Sequence, residues 1–144
     1  MKDAVKQAIR RYGYDLRPFT PVSSDSSLLI TILRHHEINL VFDIGANNGV
    51  YAGHLRSIGY KGRIVSFEPL KSAYEALTAA ARKDCSWEVA MRSAIGATDS
   101  EVEIHIAANS QSSSILDMLD AHLSAAPESI YIGLEKVPLR KLDT

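Results

Sequence analysis

With 144 residues, of which 46% are hydrophobic and 23% charged, the chain is long enough to bury one core and shows none of the biases of collagen, coiled coil or wholesale disorder. A net charge of −1 at neutral pH leaves no general attraction for nucleic acid or an anionic membrane, so small molecules are the expected partners. Cys85 is the single cysteine, which excludes an intrachain disulfide, and no apolar run approaches the roughly 18 residues of a spanning helix.

Met1 is followed by Lys2 and Asp3 with no apolar segment of the secretory kind, so a cytoplasmic protein is expected. Ala4, Val5, Ala8, Ile9 and Tyr12 fall on one helical stripe, with Lys2, Lys6, Arg10 and Arg11 largely off it. This predicts a surface helix closed by Gly13, its cations forming a solvated face rather than a nucleic-acid patch. Residues 14 to 25, with Pro18 and Pro21, predict a connector. Ser26 or Ser27 then caps a second helix that turns Leu28, Leu29, Ile32 and Leu33 inward. The adjacent His35 and His36 point in different directions on a helix, which favours placement near its C-terminus over metal ligation.

The central stretch is Val41 to Tyr51, VFDIGANNGVY. It reads as a short buried strand, Leu40 to Ile44, entering a glycine-containing turn and then a helix, the place where open α/β sheets bind nucleotide-like ligands. Asp43 marks the mouth of such a site. Gly45 and Gly49 free the backbone to turn and to admit a ligand, and Asn47 and Asn48 are among the few other residues that tolerate left-handed conformations. The helix keeps Tyr51, Leu55 and Ile58 in phase up to Gly59, and a strand follows from Arg63 to Phe67. Glu68 stands at the end of that strand, 23 positions after Gly45, near the spacing of about 20 at which dinucleotide folds place a carboxylate for ribose hydroxyls. Read together with Gly45 and Gly49, Glu68 points to a ribose-binding acid rather than an exposed charge at a strand end.

A helix from about Leu70 to Arg82 buries Leu70, Ala73, Tyr74 and Leu77, and the third strand is expected from Ser86 to Met91. Trp87, at its start, reads as core packing. Ser93 and Ala94, at its end, are placed to meet an adenine edge. The strand, helix, strand, helix, strand series predicts an α/β fold of Rossmann-like, doubly wound type, with a mainly parallel sheet, right-handed crossovers and helices on both faces. Residues 1 to 144 then form one domain, with 1 to 36 as its N-terminal helical segment.

Val102, Ile104 and Ile106 alternate with Glu101, Glu103 and His105, which predicts a half-exposed strand with His105 solvated. Ser110 to Ser114 is a polar loop, read as a flexible linker rather than a lid. Leu116, Leu119 and Leu123 suggest a short helix ended before Pro127. Ile130, Ile132 and Leu134 lie on one parity and Val137 and Leu139 on the other, which predicts a strand broken by a bulge near Glu135 and Lys136.

Five pieces, VFDIGANNGVY at 41 to 51, SFEP at 66 to 69, SAIG at 93 to 96, SSS at 112 to 114 and VPLRKLD at 137 to 143, together resemble the FkbM-type family of S-adenosylmethionine-dependent methyltransferases. The resemblance runs from about Gly13 onward. It implies that Asp43, Gly45, Ala46, Asn47 and Gly49 hold the methionine part of the cofactor, Glu68 the ribose, and Ser93 and Ala94 lie near the adenine. The residues agree on one point: a dinucleotide turn needs Gly-x-Gly-x-x-Gly, and here Asn47 stands near the place of the middle glycine. That disfavours NAD, whereas an anionic Asp43 suits a ligand bearing a sulfonium and an ammonium. The implied reaction is methyl transfer to a hydroxyl oxygen of a sugar or another small-molecule acceptor, with no metal and with catalysis mostly by positioning.

Members of that family continue past the Leu142-Asp143 pair into a further strand with an Asp and Glu-Gly motif. The resemblance therefore implies that these residues are the cofactor-binding half of a truncated sheet, and no catalytic residue is assigned. In strand order 3-2-1-4 the Leu40 to Ile44 strand becomes an edge, and Pro138 makes the C-terminal strand a poor cover for it. Weak cofactor binding, no methyl transfer by this chain alone, and self-association through the exposed edge are expected. A nonenzymatic binding or interaction module that keeps the fold is the alternative.

Overall fold

A computed structural model describes residues 2–14 and 24–143; most of the predicted connector, 15–23 with Pro18 and Pro21, lies outside them, and its last residue, Asp25, already begins a helix. The first helix, α1 (Lys2–Arg10), is followed by Gly13 in a left-handed conformation, φ 83°. The second, α2 (Asp25–His35), is capped by Ser24, whose hydroxyl accepts the Ser27 amide at 3.2 Å, so the cap sits earlier than Ser26 or Ser27. Its buried residues are Ser27 and Ile30, while Leu28 and Ile32 are exposed. Apolar residues at 28, 29, 30, 32 and 33 cover more than one stripe of the helix, so they fix that a helix exists but not which stripe faces inward.

Three parallel strands make the first sheet, in the order β1 (Leu40–Ile44), β2 (Arg63–Phe67), β3 (Trp87–Val89). The connecting helices are α3 (Val50–Ser57) and α4 (Lys71–Ala81). Both crossovers step the same way along the sheet, so the right-handed rule sends both helices to one face. Ala52 and Leu55 of α3, Leu77 and Ala81 of α4, and Ile30 of α2 accordingly pack with Ile64 and Trp87 in one core. Helices on both faces were expected, but the other face is open where Phe42 and Ile44 stand, at 49% and 52% exposure. Side chains alternate between faces along a strand, so the run LVFDI supplies apolar groups to both faces, while α2, α3 and α4 share a core on one. Among the described strands β1 pairs with β2 alone, which makes it an edge.

A second sheet has the order β4 (Ala94–Ile95), β6 (Tyr131–Arg140), β5 (Ser100–Ala107), with β6 parallel to β4 and antiparallel to β5. The expected single, mainly parallel sheet is thus two sheets. Val137, Ile104 and Ala94 of the second pack with Leu70 and Ala73 at the start of α4. Helix α4 therefore enters both cores and joins the sheets. The bulge predicted near Glu135 and Lys136 is absent there, since Ile104 pairs with Glu135 and Glu103 with Lys136 in unbroken register. The shift falls between Ile106 and Ala107, whose partners Gly133 and Tyr131 leave Ile132 as the extra residue. The two apolar parities of β6 are simply its two faces: Val137 is fully buried, while Ile132 and Leu134 are exposed.

A short helix, α5 (Asp120–Ala125), and a single turn, Pro127–Ser129, lead into β6. Among the described residues no helix is long and apolar enough to cross a membrane.

Candidate functional site

The turn after β1 is built from left-handed residues: Gly45 at φ 77°, Asn47 at 49° and Gly49 at 86°. The Gly45 and Ala46 amides both donate to the Phe67 carbonyl, at 2.9 and 3.0 Å, so the turn is tied to the end of β2. A Cβ on Gly49 would lie 2.8 Å from the Trp87 ring and 3.1 Å from Leu77. Gly49 thus serves the packing of α3 on the sheet as well as its own backbone angle. Ala46, 5% exposed, belongs to the same core.

Asp43 and Glu68 end neighbouring strands and are both buried, at 7% and 4% exposure. Asp43 pairs across the sheet with Ser66, whose hydroxyl donates to its carboxylate at 3.1 Å and accepts the Trp87 indole N–H at 2.9 Å. Burial pushes the Asp43 carboxyl above the ordinary aspartate range, and the Ser66 hydrogen bond pulls the other way. Glu68 accepts the Asn47 amide on Oε2 at 2.7 Å and the Leu70 amide on Oε1 at 2.9 Å. Burial raises this group too; the two amides lower it, and the charges of Glu135 and Asp43 raise it again.

A cavity of about 420 Å³ opens where the two sheets meet, within the size range of small-ligand pockets. Ile44, Gly45, Asn47, Phe67 and Glu68 form one side of it, and Ser93, Ala94, Ile95 and Ile104 another. Pro69 and Leu70 continue the first side, and the serine loop adds a third through Ser110, Gln111, Ser113, Ser114 and the adjoining Ile115. Of the eight residues singled out from sequence, Gly45, Asn47, Glu68, Ser93 and Ala94 line this space together. Asp43, Ala46 and Gly49 do not line it: Asp43 meets the Ser66 hydroxyl, Ala46 belongs to the core, and Gly49 lies against Trp87 and Leu77. Glu68 is the only charged group among the described lining residues.

The loop at 110 to 114 is not the flexible linker expected from its composition. The Asn109 side chain donates to Ser112 and Ser129 hydroxyls at 3.0 and 3.1 Å, Ser113 Oγ accepts the Ala107 amide, and Ser114 pairs with His105 as an isolated bridge. Asn47 Nδ2 donates to Ser110 Oγ at 3.0 Å, which joins this loop to the turn after β1. His105 is not solvated as expected either: its ring stacks on Tyr131 at 4.6 Å.

Two participants escaped the sequence reading. Arg92 Nη1 donates to the Pro69 carbonyl at 2.9 Å and to Glu135, and Glu135 accepts the Lys71 amide at 3.1 Å. Neither residue carries a local motif, and 43 positions separate them. Among the described residues, no cluster of His, Cys, Asp and Glu comes together as a metal site.

Residues 43–144 match the family model of the Methyltransferase FkbM domain. The chain belongs to that family. No curated protein and no solved structure matches it significantly. In this FkbM domain the family match begins at Asp43 itself and takes in the whole cavity wall.

Proposed function

We propose that the cavity holds S-adenosylmethionine and that the reaction is transfer of its methyl group to a hydroxyl oxygen of a sugar or another small metabolite. The observation that carries this reading is the charge of the wall: one carboxylate, Glu68, and no lysine or arginine among the described lining residues. A nucleotide pyrophosphate would find no cation there, whereas a ligand with a sulfonium and an ammonium would find Glu68 on the wall and Asp43 near it. A carboxylate has about four acceptor positions, and the Asn47 and Leu70 amides take one on each oxygen, which leaves one on each for a vicinal diol.

When bound, the cofactor supplies an electrophilic methyl group on sulfur. In the proposed complex Glu68 holds the ribose, Gly45 and Asn47 flank the methionine part, and Ser93 and Ala94 lie beside the base, with Asp43, Ala46 and Gly49 shaping the turn. The hydroxyl-rich wall at Ser110, Ser113 and Ser114 is the side that would meet a hydroxylated acceptor. Orientation of the acceptor oxygen behind the methyl group can account for a large part of the barrier.

One observation favours a second reading, a binding module without transfer: apart from Glu68 the described lining residues include no titratable group to take the proton of an acceptor hydroxyl. Calorimetry on the chain with S-adenosylhomocysteine and with NAD tests the cofactor, and transfer of labelled methyl to a panel of sugars separates enzyme from module. Binding of S-adenosylhomocysteine with little or none of NAD is expected. Tighter binding of NAD removes the proposal.

A further inference from the structure

The Glu68-Pro69-Leu70-Lys71 turn is gripped from outside. Helix α4 starts without a side-chain cap of its own, and the Glu135 carboxylate, reaching over from β6, accepts the Lys71 amide on both oxygens, at 3.1 and 3.3 Å. A carboxylate at a helix start is favourably placed toward free amides and the helix dipole. Arg92 completes the grip with its Nη1, which donates at once to the Pro69 carbonyl and to Glu135. Both side chains are partly buried, at 32% and 24% exposure. The residue between the two gripped positions, Leu70, is the one whose amide donates to Glu68.

We propose that Arg92 and Glu135 are positioning residues for nucleoside recognition: by fixing Pro69 and Lys71 they hold the Leu70 amide, and hence the Glu68 carboxylate, in the orientation that accepts a ribose diol. The inference rests on the cofactor reading of the cavity. It adds that ribose selectivity depends on the second sheet, because β6 supplies Glu135 and the chain between β3 and β4 supplies Arg92. Glu135 also has a cost, since its charge stands near that of Glu68, and Arg92 offsets it. The other charged group acting on Glu68 is Asp43 of β1.

The test compares wild type with Glu135→Gln and Arg92→Leu in two measurements. In the free proteins, amide exchange at Leu70 and Lys71 should quicken by about tenfold in both variants, the scale of one lost hydrogen bond to a charged group, while core amides such as Leu55 and Ile64 stay protected. In calorimetry, S-adenosylhomocysteine should bind about five- to tenfold more weakly, while its 2′-deoxy analogue, which lacks half the diol, changes by less than about twofold. Glu135→Gln preserves shape and should fold even if Arg92→Leu does not. Unchanged exchange at Leu70, or equal losses for the two ligands, would overturn the positioning role while leaving the cofactor reading intact. A wild-type chain that binds neither ligand would overturn the cofactor reading, and the nucleoside role of the pair with it.

Discussion

The two ends of the parallel sheet hold acids and arginines in opposite ways. At the N-terminal ends of β2 and β3, Arg56 of α3 donates to the carbonyls of Tyr60, Gly62 and Ser86, at 3.1, 2.8 and 3.0 Å, and its Nε contacts Asp84. Arg56 holds the Asp84 carboxyl below the usual range through that hydrogen bond. At the C-terminal ends, Asp43 accepts from the Ser66 hydroxyl and Glu68 from two backbone amides rather than from an arginine, and burial pushes both above that range. At one end the acid is paired with the arginine that closes the loops; at the other the two buried carboxylates are costly to ionise, and in the proposed complex a cationic or diol-bearing ligand compensates them.

The largest expected effect comes from breaking the first end. Arg56→Ala removes the guanidinium from three carbonyls and a carboxylate, of which the Ser86 carbonyl keeps the Ile64 amide and Asp84 keeps the Ser86 amide, and should cost about 2 to 4 kcal/mol in urea unfolding, with ligand affinity of the folded protein little changed. A loss of binding as large as the loss of stability would erase the distinction between the ends.

Acid titration sharpens the contrast. Asp43 and Glu68 have raised values, so between their ordinary and folded values the native state holds protons that the unfolded chain has released. Their contribution to stability therefore falls as pH rises through that window. Asp84 has a lowered value, and its contribution is lost instead as pH falls through its folded value. Asp43→Asn keeps an acceptor for the Ser66 hydroxyl and removes the buried charge. It should raise the urea midpoint at pH 7 and flatten the fall with pH, whereas a lower midpoint would mean that the charge is satisfied by the fold. The smallest effect is expected on neither end: Glu101 and Lys136 pair at 2.8 Å on the exposed face of the second sheet, and Glu101→Gln should leave the urea midpoint unchanged within error.

The part of the fold legible in the sequence was the part made by neighbours in the chain. Strands β1 and β2 ran as expected because apolar β-branched runs end there at Gly45 and Glu68, and the order of β1, β2 and β3 followed from two short crossovers. Gly45, Asn47 and Glu68 come together by the same rule, since they follow the carboxyl ends of β1 and β2, whereas Ser93 and Ala94, expected at the end of the third strand, lie beyond β3, with Ala94 opening β4 of the second sheet. The separation into two sheets was not legible, because β5 and β6 pair by non-local registers that alternation alone does not set. The serine loop misled for a related reason: its composition is that of a linker, but Asn109, Ser112 and the buried Ser129 close it with hydrogen bonds across 20 positions. Arg92 and Glu135 were invisible because their meaning lies in a helix start far from both.

The most direct measurement of the central claim, that Glu68 is a ligand-facing acid and Asp43 an architectural one, is S-adenosylhomocysteine calorimetry on wild type, Glu68→Ala and Asp43→Asn side by side. The account predicts a loss of about 1.5 to 3 kcal/mol for Glu68→Ala, the range for hydrogen bonds to a charged group, and a clearly smaller loss for Asp43→Asn. Undiminished affinity in Glu68→Ala, or a larger loss in Asp43→Asn, would contradict it.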